Sequence, residues 1–190
     1  MRPSLAMVLI GFCCTVPLSA QSSTPQLDRV RAALDKYRDP VVAVGDGYLS
    51  TVVCMDFPAV SDSAHVAHPA GGMGVHLLNA GLIGPQVDSL KPQVLIYEPV
   101  GDTLKLVAAE WFVPVQVAPN QPELFGRKFD GPMEGHPPIM PTGLHHWDLH
   151  VWLWKPNPAG VFASTNPSLK CPAKGYSVRG AASALVGHRH

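Results

Sequence analysis

His146-Trp147-Asp148-Leu149-His150-Val151-Trp152-Leu153-Trp154 alternates with period two. Side chains on a β-strand point to opposite faces in turn, so His146, Asp148, His150, Trp152 and Trp154 share one face. Trp147, Leu149, Val151 and Leu153 share the other, which is apolar and belongs in a core. The first face sets two imidazoles and a carboxylate in a row, about 6 to 7 Å between successive side chains. A strand with an apolar back and an ionisable front predicts a sheet in which this segment, Trp147 to Lys155, is one member.

Four further segments carry the β-branched and aromatic content of strands: Tyr48 to Cys54, Met73 to Leu78, Val94 to Glu98 and Thr103 to Val113. Pro99-Val100-Gly101-Asp102 reads as the turn of a hairpin between the last two. Ahead of them, Thr24-Pro25 supplies a capping side chain followed by proline at the first helical position. Leu27, Val30, Leu34 and Tyr37 then recur at helical steps as far as Arg38. Asp39-Pro40 repeats the signal for a second short helix over Val41 to Val44, ended by Gly45-Asp46-Gly47. Between Pro114 and Gly143 the chain is rich in Pro and Gly, which predicts a long ordered loop over the sheet, and loops of that length usually serve a function. The expected fold is α+β: a mainly antiparallel sheet with two N-terminal helices and this loop.

The N-terminus opens with Met1-Arg2-Pro3-Ser4 and an apolar run from Leu5 to Leu18, too short to span a bilayer. With the small residues of Leu18-Ser19-Ala20 it has the pattern of a secretory signal peptide cleaved after Ala20. Phe12 before Cys13, and Cys13 before Cys14, are poor lipidation contexts. Residues 1–20 are therefore read as a leader, 21–172 as one domain, and 173–190, thin in apolar residues and ending His188-Arg189-His190, as a flexible tail. Hydrophobic residues make up 46% of the chain and charged ones 15%, which excludes a disordered chain. Fourteen basic and fourteen acidic residues balance without clustering, so neither nucleic acid nor an anionic membrane is an expected partner. No later stretch is apolar for the ~20 residues of a membrane span. Once the leader is removed, Cys54 and Cys171 remain as an even pair in an oxidising compartment, secreted or periplasmic, which predicts a disulfide. The alternative is two free or metal-bound thiols.

Glu110 lies within Thr103 to Val113, and strict alternation puts it on the face of Leu104, Leu106, Ala108 and Phe112. An ionised carboxylate on an apolar stripe needs a compensating charge or strong hydrogen bonds. His76, in Gly72-Met73-Gly74-Val75-His76-Leu77-Leu78-Asn79, adds a third imidazole. His146 and His150 are too far apart along one strand to be ideal ligands of one ion unless the strand twists, so a partner from another strand is needed. His76, Glu110, His146 and His150 form a nitrogen and oxygen set suited to zinc, iron, manganese or copper. Asp148 is placed to orient a ligating imidazole from behind. The competing reading of the same residues is a buried hydrogen-bond network or a metal-free pocket for a small molecule. His65 and His68 read as solvated loop residues, and lining of the site from the loop is only the lesser alternative for His136. Trp111, Trp152 and Trp154 read as core or pocket wall. There is no phosphate-binding glycine loop and no GxSxG motif.

Met73-Gly74-Val75-His76 with Asn79, Leu124-Phe125-Gly126, Phe129-Asp130-Gly131-Pro132-Met133, Gly135-His136, and His146 to Trp154 followed by Asn157-Pro158-Ala159-Gly160 together resemble a family of exported bacterial proteins of unknown activity. The likeness covers about residues 30 to 171. It implies a bacterial envelope or secreted location and a Cys near each of Cys54 and Cys171, but carries no activity, cofactor or catalytic residue. Three classes of function follow from the residues: a metal-dependent enzyme with Glu110 as ligand or general base, a non-enzymatic ligand-binding protein, and a structural envelope protein.

Overall fold

A computed structural model describes residues 24–57, 60–61, 67–68, 70–135, 140–172 and 177–179. The leader with Cys13 and Cys14, His65, His136 and most of the tail lie outside these residues, and of His68 only the backbone is described. The fold is α+β with a mainly antiparallel sheet and two helices near the N-terminus.

Helix α1 spans Pro25–Leu34, its first turn closed by the Thr24 hydroxyl, which accepts a hydrogen bond from the Leu27 N–H at 3.3 Å. Leu27, Val30 and Leu34 form its buried stripe. The helix tightens to a 3-10 turn at Asp35–Arg38, where Tyr37 is buried, and α2 follows at Pro40–Gly45 with Asp39 capping Val41 at 2.9 Å. Strands β1 (Leu49–Phe57), β2 (Val60–Ser61), β3 (Ala67–His68), β4 (Gly71–Leu78), β5 (Val94–Val100), β6 (Thr103–Pro114), β7 (Glu123–Leu124), β8 (Arg127–Lys128), β9 (Asp130–Glu134), β10 (His145–Val151) and β11 (Ser177–Arg179) complete the order. Seven of them form one sheet in the order β11-β1-β4-β5-β6-β10-β9. All its pairings are antiparallel except the parallel contact of β11 with β1. Part of the segment expected to be loop is thus strand: β7 and β8 pair as a ribbon, and β9 adds an edge to the main sheet. Ser177–Arg179, expected to fray, also pairs.

One face of the sheet packs under the helices. The Tyr97 hydroxyl crosses that core to donate to the Tyr37 carbonyl at 2.6 Å, and the Tyr48 hydroxyl donates to Pro92 O at 2.8 Å. Trp111, Val113, Leu149 and Val151 are fully buried. A register shift in β6 changes the faces expected from simple alternation. Tyr97 pairs with Leu106 but Ile96 with Ala108, so Val107 is an extra residue, a β-bulge. Leu106 consequently falls on the helix side with Tyr97. Ala108, Glu110 and Phe112 fall on the opposite side, so the stripe around Glu110 excludes Leu104 and Leu106. Beside this bulge β10 ends at Val151, which pairs with Ala109; the Trp152 N–H then donates to Val161 O and the Trp154 N–H to Val107 O. Trp152 and Trp154 therefore do not continue the His146 face. Their indole N–H groups donate to Ala163 O at 2.6 Å and Asp35 Oδ1 at 3.0 Å.

Cys54 and Cys171 form a disulfide with Cα atoms 5.6 Å apart, tying β1 to the C-terminal segment across a sequence separation of 117.

Candidate metal centre

The sheet face away from the helices carries His76 on β4, Glu110 on β6 and His150 on β10. Register fixes their proximity: Glu110 lies directly opposite His150 across β6 and β10, and opposite Val94 on β5. His76 stands one row along, opposite Ile96, which pairs in turn with Ala108. The small Ala108 side chain leaves space over that row, and His76 and Glu110 meet above β5. All three are buried, at 6%, 3% and 2% exposure for His76, Glu110 and His150.

Glu110 Oε2 lies 3.4 Å from His76 Nε2 and 3.6 Å from His150 Nε2. Both distances exceed the span of about 2.7–3.2 Å for a hydrogen bond. Among the described residues neither Glu110 Oε2 nor His150 Nε2 has a hydrogen-bond partner, an expensive state for buried polar atoms. The distances do suit a shared ion, since bonds of about 2.1 Å at tetrahedral angles hold ligand atoms about 3.4 Å apart. One ligand atom from each of the three residues falls within 4.8 Å of the other two, so the group could hold a metal ion. The imidazole planes of His76 and His150 stand at 87° with ring centres 6.5 Å apart, approaching the carboxylate from different directions.

Asp148 sits behind His150, its Oδ1 3.6 Å from His150 Nδ1, the nitrogen turned away from Glu110. That distance is also longer than a hydrogen bond, and the Asp148 charge acts on His150 by favouring its protonated imidazole. His146 does not join the group of three. Four residues along a strand are about 13 Å, and His146 pairs with Pro114 rather than reaching Glu110. It is fully buried against the Phe112 ring at 4.9 Å, with Nε2 3.9 Å from Asp148 Oδ2.

A pocket opens against the triad, and six of its lining residues were not among the sequence candidates: Thr51, Met73, Leu78, Val94, Phe112 and Met140. Alternation sets Met73 on the face opposite His76, but β4 skips a pairing there. Met55 pairs with Gly74 and Asp56 with Gly72, and this bulge turns Met73 onto the His76 side. Gly74 permits the bend with φ +82°, and a Cβ there would stand 2.5 Å from Tyr97 O. Opposite His76, β1 is irregular between Ser50 and Cys54, and Val52 takes φ +56°, a left-handed conformation rare for a β-branched residue. Met140 shows that the Pro/Gly-rich segment contributes to the site.

Burial pushes the Glu110 carboxyl up to about 7, the Asp148 charge adding to the rise and His150 opposing it. Burial alone would depress His150, but Glu110 and Asp148 together outweigh it and raise the imidazole to about 9. His146 is held below its usual value by burial, against the pull of Asp148. The sign for the metal-free protein follows. A raised Glu110 binds its proton more tightly folded than unfolded, so stability declines as pH rises from 4.5 through about 7. The His150 contribution is complete below 6.5 and is lost as pH rises through about 9. Melting temperatures in chelator at pH 5, 7 and 9 should fall more steeply for the wild type than for a Glu110→Gln/His150→Gln double variant. Equal slopes would contradict this assignment.

Comparison with family models, with curated proteins and with solved structures finds no match to this chain.

Proposed function

We propose that this is an exported metal-binding protein in which His76, Glu110 and His150 hold one divalent transition metal and leave coordination positions open toward the pocket. The observation that carries the reading is Glu110: a carboxylate 3% exposed, with an oxygen that has no hydrogen bond among the described residues and faces two imidazole nitrogens at 3.4 and 3.6 Å. Two imidazoles and one carboxylate are the donor set of catalytic zinc sites and of non-haem iron sites, and they also suit manganese and copper. Three protein ligands leave a tetrahedral ion at least one free position, which distinguishes sites that act on a ligand from closed structural sites. Export is supported by the leader-like N-terminus and by the Cys54–Cys171 disulfide, of a kind that persists in oxidising compartments. Membership of the exported bacterial family suggested by the sequence motifs accords with both, and the exported chain is expected to begin at Gln21.

Equilibrium dialysis of the mature protein against zinc, manganese, iron(II) and copper(II) tests the reading. It is expected to give one equivalent of metal in the wild type and in His146→Ala, and none in His150→Ala. Equal retention by His146→Ala and His150→Ala would refute the ligand assignment. Absence of metal from the wild type under every condition would favour a buried hydrogen-bond network instead.

A further inference from the structure

The pocket against the triad opens to solvent, and its empty space of about 480 Å³ includes that open mouth. Beyond the triad and Asp148, its walls are Met73, Leu78, Val94, Phe112 and Met140, with Thr51 the one other polar residue. Among the described residues its lining contains two carboxylates and neither lysine nor arginine. A divalent ion is balanced by the charges of Glu110 and Asp148, so a neutral ligand keeps the site neutral, whereas a carboxylate or phosphate would add a buried negative charge that no described lysine or arginine of the lining offsets. The Thr51 hydroxyl oxygen is buried and makes no hydrogen bond among the described residues, so it has a donor and acceptor to offer a ligand.

From this lining we propose that the pocket binds a small uncharged molecule with an apolar body and one oxygen donor, of the alcohol or ketone class. The ligand oxygen takes the open position on the metal and pairs with the Thr51 hydroxyl, while its carbon skeleton lies against Phe112, Leu78 and the two methionines. The proposal rests on the metal reading above. Methionine side chains adapt to ligand shape, so the site is expected to accept a range of skeletons rather than one.

The test uses the cobalt(II)-loaded protein, whose visible bands report the coordination of the ion. Benzyl alcohol and cyclohexanone should shift the bands saturably, and benzoate and inorganic phosphate should not. Met140→Trp, which fills the pocket mouth, should abolish the response while the cobalt bands remain. Thr51→Val should weaken it by about tenfold, the scale of one lost hydrogen bond. A response to the two anions alone, or one unaltered in both variants, would overturn the proposal. A protein that develops no cobalt bands before any probe is added refutes the metal reading itself, and this inference with it.

Discussion

In a protein carrying Glu110→Gln, metal affinity is expected to fall by at least about 100-fold, a loss no smaller than that seen for groups that only support ligands, while the fold is retained. Gln keeps the shape of the side chain but removes the charge that makes Glu110 a ligand. The same removal relieves the metal-free protein, because the carboxylate is 3% exposed and burial works against its ionised form. The two effects therefore have opposite signs: less metal, and equal or higher melting temperature in chelator at pH 8. A residue serving only in a hydrogen-bond network would behave otherwise, since Gln substitution would leave metal content unchanged. Metal titrations and melting curves on one preparation separate these cases.

Loss of the disulfide is the second large effect. Cys54 is 1% exposed in the core, and its bond to Cys171 closes a loop with a sequence separation of 117. In the chain-entropy account a loop of about that length stabilises by roughly 4 to 5 kcal/mol through restriction of the unfolded chain. Cys54→Ser/Cys171→Ser should lower the melting temperature by about 10 °C or more, and reduction of the wild type should reproduce the loss. Cys54 pairs with Val75, the neighbour of His76, so the bridge pins β1 beside a metal ligand. Metal binding should weaken in the double variant even where it remains folded. A melting temperature unchanged by reduction would contradict the stabilising role.

Five strands of the main sheet were legible in the sequence, but the faces their side chains take were legible only where alternation survives. In β10, Trp147, Leu149 and Val151 are buried on one side and Asp148 and His150 face the pocket on the other, as period two requires. The helices were legible because Thr24-Pro25 and Asp39-Pro40 are caps with a local mechanism that operates largely independently of tertiary contacts. Alternation failed at three irregularities that have no period to detect: the extra Val107 in β6, the shift at Met73 in β4, and the left-handed Val52 in β1. Each changes which face a side chain takes or where pairing stops. Two of them, at Met73 and around Val52, lie at the pocket. The glycines flanking Met73 were the visible trace of the second. His146 was included with the ligands because it shares their face. The distance along the strand and the pairing with Pro114 keep it apart, which only the register reveals. Met140 had no sequence signal beyond its place in a Pro/Gly-rich segment.

No helix among the described residues is long and apolar enough to cross a membrane, and the decisive measurement is made on the purified chain. That measurement is the melting temperature of the purified protein, with its metal content determined, before and after chelation and after return of one equivalent of zinc. At an ion concentration near 1,000 times Kd, binding to the folded state alone stabilises by about 4 kcal/mol, or about 10 °C for a chain of this size. The expected result is stoichiometric metal, a drop of that order on chelation, and recovery on readdition. A metal-free protein whose melting temperature moves with neither chelator nor zinc would contradict the account.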